Sequence, residues 1–350
     1  MTSALFVAGL TTFFAVLFYW GFRKLPAEGW QIIAAVPLKR GDDGSWSGRN
    51  LTYYGFFNAS ACAFSYATVV LLMGTVNVPL IATLTVTCTL LLICVPAARL
   101  IARAVEGKLQ TFTIAGASLT GIIVLPWLIE GFNASLGRPL GAPVPVIQMF
   151  GAVAIAYAFG EAFGRLACIS FGCCYGKPFR QLSTPLQPIL RRYCFVFRGE
   201  TKKVAYEGEL SGMPLVPIQA ITAIVSALAG LVGLIFFLGA RWTEAVLIPI
   251  ATTQIWRALS ETWRADYRGG GRVSAYQIMA LFNLVYVLAV LSLLEPTVTP
   301  HPNILTGLRS LTYAPSVLLI EMLWVAIFLY VGRSSVTAAR LSFHVVRERI

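Results

Sequence analysis

Nine stretches of this chain, each roughly twenty residues long and nearly free of charge, decide what it can fold into. They fall at about 3–22, 51–74, 76–98, 111–132, 146–170, 215–239, 244–263, 274–293 and 314–332. About 20 apolar residues in a helix cross ~30 Å of hydrocarbon, and a helix satisfies its own backbone polar groups where no water is present. The expectation is an all-α, polytopic integral membrane protein with about nine hydrophobic helices. Composition agrees: with 57% hydrophobic and only 12% charged residues in 350, no soluble domain of ordinary size is left over. Gly116, Gly121 and Pro126 interrupt the run at 111–132, and the run at 314–332 is compatible with lying in the membrane interface. The first run is too long and too aromatic for a signal peptide and lacks a small-residue cleavage site, so it reads as an anchor helix.

The two longest polar stretches are 23–50 and 173–214. The second carries Lys177, Arg180, Arg191, Arg192, Arg198, Lys202 and Lys203, a cationic lip that either attracts anionic headgroups or marks a cytoplasmic loop. The 23–50 stretch and the tail from Arg333 to Arg349 are basic as well, so charge does not orient the chain. The net charge of +12 suits life among anionic lipids. Nucleic-acid binding is excluded as a function class, because the basic residues are dispersed among short loops and line no groove.

Charge inside the fifth run is the second constraint, since an ionisable residue at membrane depth reads by default as functional. Glu161 and Arg165 stand four residues apart, on one helix face, where they can pair. Ala152, Ala156, Gly160, Gly164, Cys168, Gly172 and Gly176 put a small residue at every fourth position, the pattern that lets membrane helices approach closely. Glu161 and Arg165 each follow that stripe by one residue, about 100° round the helix, and so flank a tight contact. A packing seam with an internal ion pair is the plainer reading of the same residues.

A second cluster, Arg257, Glu261 and Arg264, is spaced i, i+4, i+7; on a continuous helix the three lie within about 60° of one another. One acid between two bases leaves net positive charge there, and the planar fork of Arg suits a phosphate. Asp266, Tyr267, Arg268, the run Gly269–Gly271, Arg272, and then Ser274 and Gln277 follow. Arg268 and Arg272 read as side chains snorkelling to water at a helix end.

Cys168, Cys173 and Cys174 place three thiols in seven residues. Without a C-x2-C pair or a nearby His, the spacing argues against a metal site. A redox pair and small thiols packing beside a glycine turn stay open, and packing is favoured.

GRLACISFGCCYG over residues 164–176, Pro217 and Gln219 opening the next hydrophobic run, Arg257-x3-Glu261-x2-Arg264, and Ser274-x2-Gln277 together resemble the prolipoprotein diacylglyceryl transferase family. Tyr53, Tyr54 and Gly55 resemble its aromatic-Tyr-Gly element. The resemblance covers roughly residues 50–293 and implies a seven-helix core at 51–293, flanked by an extra N-terminal helix and polar loop (1–50) and an extra C-terminal helix and basic tail (294–350). It implies an enzyme of the bacterial plasma (inner) membrane that moves a diacylglyceryl group from phosphatidylglycerol to the thiol of a lipobox cysteine in a prolipoprotein. Glycerol phosphate leaves, and no cofactor or metal is required. Arg165 and Arg257 would hold the phosphate, Glu261 and Arg264 would fix that cluster, Tyr54 would contact substrate, and Gly176 would close the turn. Gln219, Gln277 and Cys168 are further substrate-side positions.

The chain departs from the family pattern in places that bear on the acceptor. Thr113, Ile114, Ala115 and Gly116 stand where the family has a His-Gly-Gly element, with Ile114 at the His. Cys168 stands at the family's Asn, Cys173 at its Glu, and Val216 at a His. The two histidines, His301 and His344, lie outside the core. Glu161 is the candidate replacement base. A different acceptor, and an anionic-phospholipid binder or transporter that kept the arginines without the chemistry, are the competing readings. A transporter would show two repeated halves with broken helices, and no such symmetry is visible.

Overall fold

The computed structural model describes residues 2–107, 112–181, 188, 192–267, 273–294 and 299–350. Arg191, Arg268, Gly269–Gly271 and Arg272 lie outside the described residues. Each of the nine apolar runs is a helix: α1 (Thr2–Lys24), α2 (Tyr53–Thr75), α3 (Leu80–Glu106), α4 (Ile114–Phe132), α5 (Val146–Phe171), α6 (Ile218–Leu238), α7 (Trp242–Ser260), α8 (Ala275–Leu293) and, after the short α9 (Ile304–Thr312), α10 (Ala314–Val331). Eight of these are long and apolar enough to cross a bilayer, so the protein is a multi-pass membrane protein. The ninth, α7, carries Glu244, Gln254 and Arg257 along 19 residues. Pro126 is accommodated inside α4, which runs on into a π-helical turn at Asn133–Gly137.

Helix α5 is the centre of the bundle: 78% of its most apolar window is buried by protein, against 6% for α10. The small-residue stripe is the reason. A Cβ on Gly160 would come 2.1 Å from Ser65 Oγ, and one on Gly164 would stand 3.7 Å from the Ala61 Cβ. Ser65 Oγ donates to the Ala156 carbonyl across the same seam. Helix α2 therefore lies directly on the stripe, while α6 and α7 cover the adjoining faces of α5.

The terminal segments join each other. Strands β1 (Ile32–Arg40) and β2 (Trp46–Thr52), from the first polar stretch, form an antiparallel sheet with the C-terminal β5 (Arg333–Leu341) in the order β1-β2-β5. Its hinge is Thr52, whose hydroxyl donates to the Gly332 carbonyl and accepts from Gly55 N at the start of α2. Gly55 must be glycine there, since a Cβ would meet Gly332 Cα at 2.1 Å. Trp324 Nε1 donates to Ser60 Oγ, fixing α10 against α2. The second polar stretch contributes the two-residue strands β3 (Phe195–Val196) and β4 (Pro214–Leu215). Its Lys202 is wholly buried, and Nζ donates to the carbonyls of Leu25 (3.1 Å) and Ser170 (2.6 Å), tying the loop to the ends of α1 and α5. Burial pulls that amine down to about 8.

Candidate active site

The stripe on α5 faces α2, so the residues one step further round face α7. Glu161 Oε1 accepts from Arg165 Nη2 at 2.5 Å and from Arg257 Nη2 at 2.9 Å. Tyr157, one turn before Glu161, donates its hydroxyl to Oε2 (2.8 Å) and accepts a second bond from Arg257 Nη2 (2.7 Å). Glu161, Arg165 and Arg257 are only 6–7% exposed. Two guanidiniums share one carboxylate, so this buried cluster carries a formal charge of +1 while Glu161 is ionised. The Nε atoms of both arginines are buried without a partner among the described residues. Unsatisfied buried donors are uncommon and call for an explanation; an anion drawn between the two guanidiniums supplies one.

Arg264 reaches the same place by a different route from the one its spacing predicts. Helix α7 ends at Ser260, a single 3-10 turn covers Glu261–Trp263, and Arg264 is extended at φ −84°, ψ 149°. The three residues therefore do not share one continuous helix face. The chain after α7 pairs instead with the chain after α5. Lys177 N donates to the Trp263 carbonyl (2.9 Å) and Ala265 N to the Tyr175 carbonyl (3.1 Å), with Gly176 opposite Arg264. Gly176 has no room for a side chain, because a Cβ would lie 2.4 Å from the Val216 carbonyl oxygen. Arg264 is clasped bidentately by Asp266 (2.8 and 2.6 Å) and stands 3.9 Å from Glu261.

Glu161, Arg165, Arg257, Glu261 and Arg264 line one pocket, with Gln219, Cys174 and Trp256 completing much of its wall. The cavity is about 10 Å³, on the order of one water, so a phosphate enters only as side chains give way. Gln219, at the start of α6, donates Nε2 to the Cys173 carbonyl (3.0 Å), while its Oε1 is buried with no partner among the described residues.

Other expected site residues stand elsewhere. Tyr54 is half-buried with its ring 5.1 Å from that of Phe171 and does not line the pocket. Gln277 closes the capping box of α8 with Ser274 and donates to the Ala258 carbonyl, fastening α8 to the end of α7. Cys168 is buried in the last turn of α5, its sulfur within 4.8 Å of those of Cys173 and Cys174. Ile114, at the family's His position, opens α4 at 43% exposure and does not line the pocket. Val216, at the other, is buried against Gly176.

Tyr157 of the buried cluster, and the pocket-lining Trp256, Ile218, Thr222, Thr253 and Ser260, were missed in the sequence. Tyr157 lies four residues before Glu161, so its helical register was a usable signal. Trp256, which donates Nε1 to Thr222 Oγ1 (2.9 Å), carries no such mark.

The sequence model of the prolipoprotein diacylglyceryl transferase family matches residues 46–293. No curated protein matches the chain.

Proposed function

The chain belongs to the prolipoprotein diacylglyceryl transferase family, a family of transferases, and from that premise we propose that it takes the diacylglyceryl group from phosphatidylglycerol and places it on a cysteine thiol of a lipobox-bearing, membrane-anchored precursor. The site of action is the bacterial plasma (inner) membrane. The observation that carries this reading is the buried pair of guanidiniums around Glu161, each with an Nε that has no partner among the described residues.

In the reaction the acceptor sulfur attacks the glyceryl carbon bonded to the phosphate oxygen. The C–S bond forms, the C–O bond breaks, and the oxygen keeps the electron pair. A phosphodiester monoanion thus becomes a glycerol phosphate dianion, with the thiol proton released. The extra negative charge appears on the leaving group, and preorganised donors lower the barrier most where charge develops. Arg165 and Arg257 take that role. Glu161 gathers the two guanidiniums on one carboxylate oxygen, Tyr157 braces Arg257, and Asp266, with Glu261 3.9 Å away, holds Arg264 in the pocket wall. Gln219 Oε1 suits a headgroup hydroxyl. Tyr54, at the aromatic Phe171, suits the acyl-bearing side, with Cys168 and Gln277 supporting the wall. Three of the about four acceptor positions of the Glu161 carboxylate are taken by donors, both on Oε1 by guanidiniums, which favours a clamp over a base.

The test incubates purified protein with phosphatidylglycerol labelled in its diacylglycerol part and a lipobox peptide carrying Cys or Ser. Label on the Cys peptide alone, with stoichiometric glycerol phosphate, is the expected result. Glycerol phosphate without labelled peptide would assign a different acceptor. Neither product, with phosphatidylglycerol still bound, would overturn catalysis in favour of lipid binding or transport.

A further inference from the structure

We propose that Cys168, Cys173 and Cys174 form a three-thiolate site for a zinc-class divalent metal, whose fourth position opens to the arginine pocket and takes the acceptor thiol. The acceptor part rests on the transferase reading; the metal site does not.

The three sulfurs lie within 4.8 Å of one another and form no disulfide. A tetrahedral ion with metal–sulfur bonds of about 2.3 Å holds its sulfurs about 3.8 Å apart, so the cluster needs to contract by about an ångström. The spacing C-x4-C-C conceals this because the chain doubles back on itself. Gly172 caps α5 in the left-handed conformation (φ 72°), and Gly172 N and Cys173 N both donate to the Cys168 carbonyl. Cys174 is left-handed as well, at φ 56°, a conformation that a side chain with a Cβ disfavours. Strain of this kind persists where the surroundings impose it and clusters at functional sites. Here the surroundings are explicit: Gln219 grips the Cys173 carbonyl, and Gly176 is paired with Arg264. The turn is held with its sulfurs converging.

An all-sulfur ligand set selects a thiophilic ion and not magnesium or calcium. Three thiolates around a divalent ion carry a charge of −1, and Arg165 and Arg264, which line the pocket with Cys174, oppose it. Cys168 and Cys173 are buried, whereas Cys174 faces the pocket. Three protein ligands with one open position is the arrangement of a catalytic zinc site, and a thiol that coordinates such an ion is deprotonated on binding. That answers the absence of the family His. The acceptor thiol loses its proton to solvent as it coordinates, its sulfur then displaces glycerol phosphate from the glyceryl carbon, and the thioether product leaves the metal. The ion stays divalent throughout, and nothing is oxidised or reduced.

The full chain, purified in reductant and loaded with cobalt(II), gives the direct test. Expected are one cobalt per chain, thiolate-to-cobalt charge transfer in the near ultraviolet, and the visible bands of tetrahedral cobalt. Cys168→Ser and Cys174→Ser should each weaken binding by at least about tenfold, and a lipobox Cys peptide, unlike its Ser counterpart, should perturb the visible bands. Substoichiometric cobalt in wild-type protein whose seven thiols titrate as free, or an unchanged spectrum in both variants, overturns the site and returns the thiols to packing. A Cys–Cys bond among the three in protein that never binds cobalt overturns it in favour of a redox pair. Full transfer to the peptide by metal-stripped protein overturns the acceptor role. Loss of transfer in metal-loaded protein with an intact cobalt spectrum sinks the transferase reading and leaves the metal site standing.

Discussion

Glu161→Gln keeps the shape of the side chain and removes one charge from a buried cluster. The carboxylate receives two guanidinium bonds, at 2.5 and 2.9 Å, and one from the Tyr157 hydroxyl at 2.8 Å. The glutamine keeps an oxygen that can still accept from the Tyr157 hydroxyl one turn away on the same helix, so the tyrosine is a small part of the loss. Two unit charges 4 Å apart attract by about 4 kcal/mol at an effective dielectric of 20, and breaking a buried pair costs about 3–5 kcal/mol because the partner is left uncompensated. The Gln variant leaves two such guanidiniums, so a loss near the upper end of that range is expected. It also raises the cluster from +1 to +2, so an anionic lipid should recover part of the loss. Unfolding of wild type and variant in nanodiscs of phosphatidylcholine, with and without phosphatidylglycerol, reads both effects. The variant should be less stable in phosphatidylcholine and should gain more than wild type from phosphatidylglycerol. A variant as stable as wild type, with a displaced pH–rate profile, would refute the clamp and make Glu161 the base.

Arg165→Lys and Arg257→Lys keep charge but lose the fork, and each should lower transfer about 10²-fold or more with little effect on membrane insertion; full activity in either, measured by peptide labelling, would remove the phosphate from between them. Gly176→Ala drives a Cβ to 2.4 Å from the Val216 carbonyl and should separate the paired segments behind the pocket, seen as lost transfer and faster proteolysis between residues 173 and 214. Lys202 has a folded value of about 8, below its unfolded one, so the unfolded chain binds more protons between the two. Stability should therefore rise with pH from about 8 to 10.5, by up to about 3 kcal/mol, and this slope should vanish in Lys202→Met when unfolding is compared across that range.

Runs long enough to cross a bilayer need no partner to become helices, because the alternative is unpaired backbone in hydrocarbon. For that reason all nine, and the multi-pass class, are legible in the sequence. The stripe from Ala152 to Gly172 likewise marked a close helix contact, because only small residues permit it. Glu161 with Arg165 was readable for the same local reason: four residues on a helix is a fixed geometry. What spacing could not reveal is anything that depends on where a helix stops or on what lies across from it. Arg257 meets Glu161 only because α7 packs on α5, 96 residues away in the chain. Arg264 leaves its helix because the segment at Tyr175–Lys177 offers backbone hydrogen bonds in exchange. Three cysteines without a recognisable metal spacing converge because two left-handed residues turn the chain back onto the end of α5. Charge type, span number and helix register are local properties, and the sequence by itself determined them. The partners of each charge, and the meeting of the three sulfurs, are long-range consequences of packing, which only the tertiary structure decided.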